Sequence, residues 1–185
     1  MSCVRWEALF DDLEAQLERE QAAEQWAEVA ERSRAEFGRI SLADRLRAHV
    51  GQQLTLRLRN GDQVVGRVDD VAVEWLALTQ MAGQVLVPVD AVTLVGGLSR
   101  AVSPEASAVL RRLGLRHALR ALARDRAPVR VTLPGGEVTG TIDRVGADHI
   151  DVAEHPVGEA RRAGAVRQVL TIRLAALLAV RSQSF

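Results

Sequence analysis

Lysine and tyrosine are absent from this 185-residue chain, and asparagine and cysteine each occur once, as Asn60 and Cys3. All 24 basic residues are therefore arginine. The joint scarcity of residues with AT-rich codons marks a GC-rich genome, so arginine content alone is no sign of selection for phosphate binding. A lone cysteine excludes an internal disulfide and a cysteine-rich zinc site, which suits a reducing compartment. Aromatic residues make up only 3%, leaving few platforms on which bases could stack. Formal net charge is zero, so the whole molecule exerts no long-range pull on nucleic acid or anionic membrane. No apolar run approaches the ~20 residues that span a bilayer. The early residues Glu7, Asp11, Asp12 and Glu14 are acidic where a secretory signal carries a basic segment, so a cytoplasmic location is expected. No glycine-rich phosphate loop, nucleophile elbow or Cys/His pairing occurs. The expectation is a protein that is not an enzyme and needs no cofactor.

Hydrophobic residues reach 48% and charged residues 26%, the balance of a folded globular chain. Residues 4–37 are rich in Ala, Glu, Gln, Leu and Arg and contain no Gly or Pro, which predicts a helix ended by Gly38. Its apolar residues form two stripes. Trp6, Leu9, Phe10, Leu13 and Leu17 make one, and Ala22, Trp26, Val29 and Phe37 the other. At roughly 100° per residue the two lie nearly opposite each other, so a straight helix cannot bury both on one surface. The first stripe is a candidate partner contact through Trp6, Phe10, Leu13 and Leu17.

The remainder of the chain repeats itself. Leu54, Leu56 and Leu58 alternate with Thr55, Arg57 and Arg59, the period of a half-buried strand. Asn60-Gly61 marks a hairpin, and Gly66 permits a sharp bend in the next strand. The same sequence of features returns as Val129, Val131 and Leu133, then Gly135, then Gly140. Further strands are predicted at 75–78, 85–87 and 93–95, and again at 149–152, 169–172 and 177–180. Ser41 and Asp44 form a capping box before a short helix carrying Leu42 and Leu46. Leu115 and Leu119 repeat that helix. Before it, Ser103-Pro104 opens another helix with Val109, Leu110 and Leu113 on its apolar face. Internal repetition at this length predicts duplicated architecture.

That order resembles the Sm-like small β-barrel of the wider SH3-like group, and tandem two-barrel proteins of actinobacteria. The resemblance implies a mainly β chain with helices (α+β). The expected parts are an amphipathic helix (1–40), a first five-stranded barrel (41–98), a helical hairpin (99–126) and a second barrel (127–185). The uridine pocket of Sm proteins is not reproduced. Its Asn position falls on Trp75 and His149, its Asp position on Val71 and Val145, and its stacking position on Val73 and Ala147. Its Arg-Gly position falls near Pro88-Val89 and Arg173-Leu174.

The candidate function is assembly or regulation through protein–protein contact, by self-association or with a protein partner. Exposed strand edges invite pairing. Pro88 limits the first half's fourth strand as an edge, whereas the strand at 169–172 has no such block. Val169 and Ile172 are therefore assigned to the inter-barrel or intersubunit contact. The alternative is binding of RNA or DNA by arginine-rich faces. Arg57, Arg59 and Arg67 share one strand surface, and Arg111, Arg112, Arg116 and Arg120 lie in the linker. Against this, residues 1–37 carry ten acidic and four basic groups, an opposing charge already within the chain. His149, Asp151 and His155 would share one side of a continuing strand, but the spacing is not a ligand motif, and no metal is assigned.

Overall fold

The computed structural model describes residues 4–103, 113–156 and 166–182. They fall in two compact units, residues 1–40 and 41–185.

The first unit is α1 (Val4–Phe37), as the run of helix formers predicts. It ends where Gly38 donates its N–H to the Arg34 carbonyl at 3.0 Å. Leu17, Trp26 and Phe37 are exposed on it, Trp26 by 74%. The side chains of Trp6, Phe10 and Leu13 lie outside the described set.

The second unit begins with α2 (Leu42–Arg47). Its capping box forms as the sequence requires. Asp44 N–H donates to Ser41 Oγ at 3.1 Å, and Ser41 N–H donates to the Asp44 carboxylate at 3.0 Å. Partial burial works to raise the Asp44 carboxyl. The hydrogen bonds from Ser41 and Arg47 outweigh it and hold the group below its ordinary range.

Five strands follow: β1 (Gln53–Leu58), β2 (Gln63–Val71), β3 (Trp75–Gln80), β4 (Gly83–Pro88) and β5 (Val92–Gly96). Then come α3 (Leu115–Asp125) and five more: β6 (Pro128–Leu133), β7 (Gly136–Val145), β8 (His149–Glu154), β9 (Gln168–Arg173) and β10 (Ala179–Ser182). α3 stands where the second arm of the expected helical hairpin falls. Residues 104–112, the first, lie outside the described residues. A 3₁₀ turn precedes the last strand of each half, at Val89–Ala91 and Leu174–Ala176.

The internal sequence repeat has a counterpart in small irregularities. The β2–β3 register shifts between Val68 and Asp70, and the β7–β8 register shifts between Ile142 and Arg144, at matching places. Glycine is required at both bends. A Cβ on Gly66 would lie 2.9 Å from the Thr79 carbonyl oxygen, and one on Gly140 would collide with the Ala153 carbonyl. The Asn60-Gly61 hairpin forms with Gly61 in the left-handed region at φ 89°. Asn60 is not in that region, and its Oδ1 instead accepts the Asp62 N–H at 3.1 Å.

All ten strands join one antiparallel sheet in the order β5-β1-β2-β3-β4-β10-β6-β7-β8-β9. The expected pair of barrels thus appears as two five-strand segments of a single sheet. Each segment has the same internal order, with its fifth strand beside its first. The seam is β4 against β10, Leu86 opposite Val180 and Val85 opposite Arg181.

The hydrophobic interior follows the seam rather than the repeat boundary. Leu46, Leu54, Leu56, Leu58, Val68, Leu76 and Leu78 form one cluster, completed by Leu178 and Ala179 from the second half. Leu119, Val129, Val131, Ile142, Ile150 and Val152 form the other, completed by Ala72, Trp75 and Leu86 from the first. Burying each such leucine or isoleucine stabilises the fold by about 1.5–3 kcal/mol, so both sides of the seam depend on the other. Among the described residues, no helix is long and apolar enough to cross a membrane.

Candidate functional site

An antiparallel sheet of this kind has two outer strands, here β5 and β9. β9 lies where the sequence places the contact strand, and its pairing with β8 is regular along its whole length, from His149 opposite Arg173 to Glu154 opposite Gln168. Just past its end, Leu174 donates its N–H to the Asp148 carbonyl at 2.8 Å. Backbone groups alternate direction along a strand. Ile172 and Leu170 therefore turn theirs toward β8, while Arg173, Thr171 and Val169 turn theirs to the open side.

Side chains alternate between the sheet faces in step. Ile172 is buried in the second cluster with Leu170 packed against that cluster, whereas Val169 is 57% exposed. Thr171 is exposed and donates its hydroxyl to Asp151 at 2.7 Å. Of the two residues singled out on this strand, Val169 presents its side chain to solvent and Ile172 anchors the strand to the core.

The joint between the two halves is a correction to the expected use of this strand. It is made by β4 and β10, and β9 takes no part in it. Pro88 does not prevent this, because it sits at the far end of β4, opposite Trp75, beyond the two residues that pair with β10. Of the two contacts expected of β9, the one between the halves is thus ruled out.

The arginines are dispersed. Arg59 donates to the Ala175 carbonyl at 2.8 Å, and Arg67 lies 3.4 Å from the Asp69 carboxylate. Arg57 is exposed on β1. Arg116 and Arg120 are exposed on α3, and Arg111 and Arg112 lie outside the described residues.

The three residues considered for a metal diverge. His149 Nδ1 meets the Asp148 carboxylate at 2.9 Å, and Asp151 accepts from Thr171. The His149 contact holds the Asp148 carboxyl below its ordinary range. His155 is 2% exposed, bonded to Thr141 Oγ1 at 2.9 Å and to the Pro156 carbonyl at 3.1 Å. Among the described residues, no three His, Cys, Asp or Glu side chains are grouped to hold a metal ion.

Sequence reasoning overlooked one feature at the seam. An apolar groove of about 300 Å³ runs between α3 and the sheet, walled by Trp75, Leu86, Ala118, Leu122 and Val180. Trp75, one of its walls, donates its indole N–H to the Leu113 carbonyl at 2.8 Å. The signal available was Trp75 itself, a large aromatic standing where the second half has His149.

No protein-family model matches this sequence, and no curated protein matches it.

Proposed function

We propose that this chain is a non-enzymatic cytoplasmic protein that assembles or regulates by protein–protein contact, each five-strand half of its sheet being an Sm-like unit. The observation that carries this reading is the β9 edge. It is a regular six-residue strand with one row of backbone N–H and C=O groups that meets no partner among the described residues, and Val169 is exposed beside them. Natural sheets protect such edges with proline, charge, bulges or cover, because an open edge is a template for another strand. From Gln168 to Arg173 this one carries no proline and no bulge, and its one charge, Arg173, stands at the very end. Strand addition is the recognition mode it suits, with main-chain bonds supplying affinity and alternate side chains supplying selectivity.

The arginine faces support nucleic-acid binding less well. Two of the strand arginines are engaged within the fold, and the helix arginines stand on a different element.

Amide hydrogen exchange tests the reading. The outward amides of Val169, Thr171 and Arg173 are expected to slow, relative to dilute protein, either in concentrated protein or in extract of the native cell. Exchange that stays as fast as in dilute protein under both conditions would overturn it.

A further inference from the structure

The two outer strands are not equivalent. β5 spans five residues, and its pairing with β1 shifts register between Arg57 and Leu58. It runs directly into Gly97, in the left-handed region at φ 94°. A bulge and an abrupt turn are devices that blunt an edge. β9 keeps one register with β8 along its whole length and meets its 3₁₀ turn only after Arg173, and the contact it offers has a particular symmetry.

Its outward backbone groups belong to Val169, Thr171 and Arg173, evenly spaced about Thr171. Its inward side chains, Leu170 and Ile172, sit between them on the core face. A strand arranged in this way is complementary to its own antiparallel image.

We propose that β9 pairs with β9 of a second copy of this chain, about a two-fold axis passing through Thr171. The proposal rests on the reading of β9 as the contact edge and names its occupant. Thr171 then faces Thr171 of the second copy, and Val169 faces Arg173. Every outward N–H and C=O of the strand finds a partner in this register. An axis perpendicular to the sheet keeps both core faces on the same side, so Leu170, only partly covered within one chain, lies beside Ile172 of the other. A slip by one residue sets core-facing side chains against solvent-facing ones. A slip that centres the axis on Arg173 sets two guanidinium groups opposite each other, which is unfavourable.

Charge and covering both favour a second copy. Each Arg173 meets an apolar Val169 rather than another cation, and its aliphatic stem covers that exposed side chain. The molecule already joins its halves edge to edge, with the fourth strand of one, β4, against the fifth of the other, β10. The remaining fifth strand, β5, is the blunted one, which leaves β9 to meet its own copy. The contact is isologous, so it closes at two chains instead of growing into a filament.

The test uses the full chain and sedimentation equilibrium. Wild type is expected to dimerise. Val169→Arg sets a cation against Arg173 at both ends of the axis, and Val169→Glu sets an anion there. Taking cross-strand pairs at a few tenths of a kcal/mol or more each, the first should weaken the dimer about five-fold and the second strengthen it to a similar degree. Val169 is exposed, so neither change removes a core contact. Thr171→Pro deletes an outward N–H without deleting a backbone bond to β8. It also removes the hydroxyl bond to Asp151, which Thr171→Val removes alone, and it should leave a folded monomer by circular dichroism where Thr171→Val leaves a dimer. Three results would overturn the proposal. One is a monomeric wild type whose β9 amides slow only in cell extract, which leaves the edge as a contact for a different protein. Another is a dimer whose strength moves the same way, or not at all, with both Val169 changes. The third is a dimer that survives Thr171→Pro. If β9 amides never slow at all, the edge reading itself fails instead.

Discussion

Glu74, in the first half of the sheet, accepts the backbone N–H of Leu115 at 2.7 Å, at the start of the helix that belongs to the second half. The residue at the head of that helix is Gly114, which has no side chain to cap it. A Cβ there would lie 2.9 Å from a Glu74 carboxylate oxygen, so the glycine and the remote carboxylate form one device. A carboxylate at a helix N-terminus satisfies an orphan donor and complements the helix dipole.

Glu74→Ala is therefore expected to cost about 1 kcal/mol, seen as a lowered urea midpoint with an unchanged slope. Glu74→Gln should recover part of that loss, because an amide oxygen still accepts the hydrogen bond but brings no charge.

The bend glycines should differ in tolerance. Gly140→Ala drives a methyl group into the Ala153 carbonyl, whereas Gly66→Ala meets the Thr79 carbonyl at 2.9 Å. Overpacking of this kind costs about 1–3 kcal/mol, and Gly140→Ala is expected to be the more damaging in thermal melts. Equal effects would show that the two bends relax alike.

Residues 41–185 should unfold in one transition despite the internal sequence repeat. Leu86 of the first half is buried in the cluster of the second, and Leu178 of the second in that of the first. Scanning calorimetry is expected to give a single peak with agreeing calorimetric and van't Hoff enthalpies. Leu86→Ala should lower that peak by the equivalent of about 2–5 kcal/mol without splitting it.

Acid should loosen α2 through Asp44. The folded chain holds this carboxyl below its ordinary value, so on acidification the unfolded chain takes up the proton first. The contribution is complete above about pH 4 and is lost as the pH falls through the depressed value. Asp44→Asn is expected to flatten the fall in melting temperature over that interval. An unchanged acid limb would remove Asp44 from the account.

Much of this was legible in the chain because it depends on neighbours in sequence. The Ser41–Asp44 box, the alternation of Leu54, Leu56 and Leu58, and Gly66 with Gly140 each state their structure within a few residues. The seam was not legible in that way. Whether β4 meets β10 depends on which edges come together in space, and Pro88 reads as an obstacle until its place beyond the paired residues is known. His155 misleads for the same reason. Strand alternation sets it with His149 and Asp151, but it lies past the end of β8, where Thr141 on β7 draws it inside. On β9, periodicity located the strand correctly. The division of labour between an anchoring Ile172 and an open Val169 needed the direction in which the sheet curls around its core.

The crossing of Trp75, Leu86, Leu178 and Ala179 into each other's territory bears on separability. A piece cut to hold one half alone would strip cover from the core it keeps. Trp75 and His149 stand at matching places in the sequence repeat with different duties, one walling the groove under α3 and one half-exposed beside Asp148. Neither half can take the other's place without opening a core.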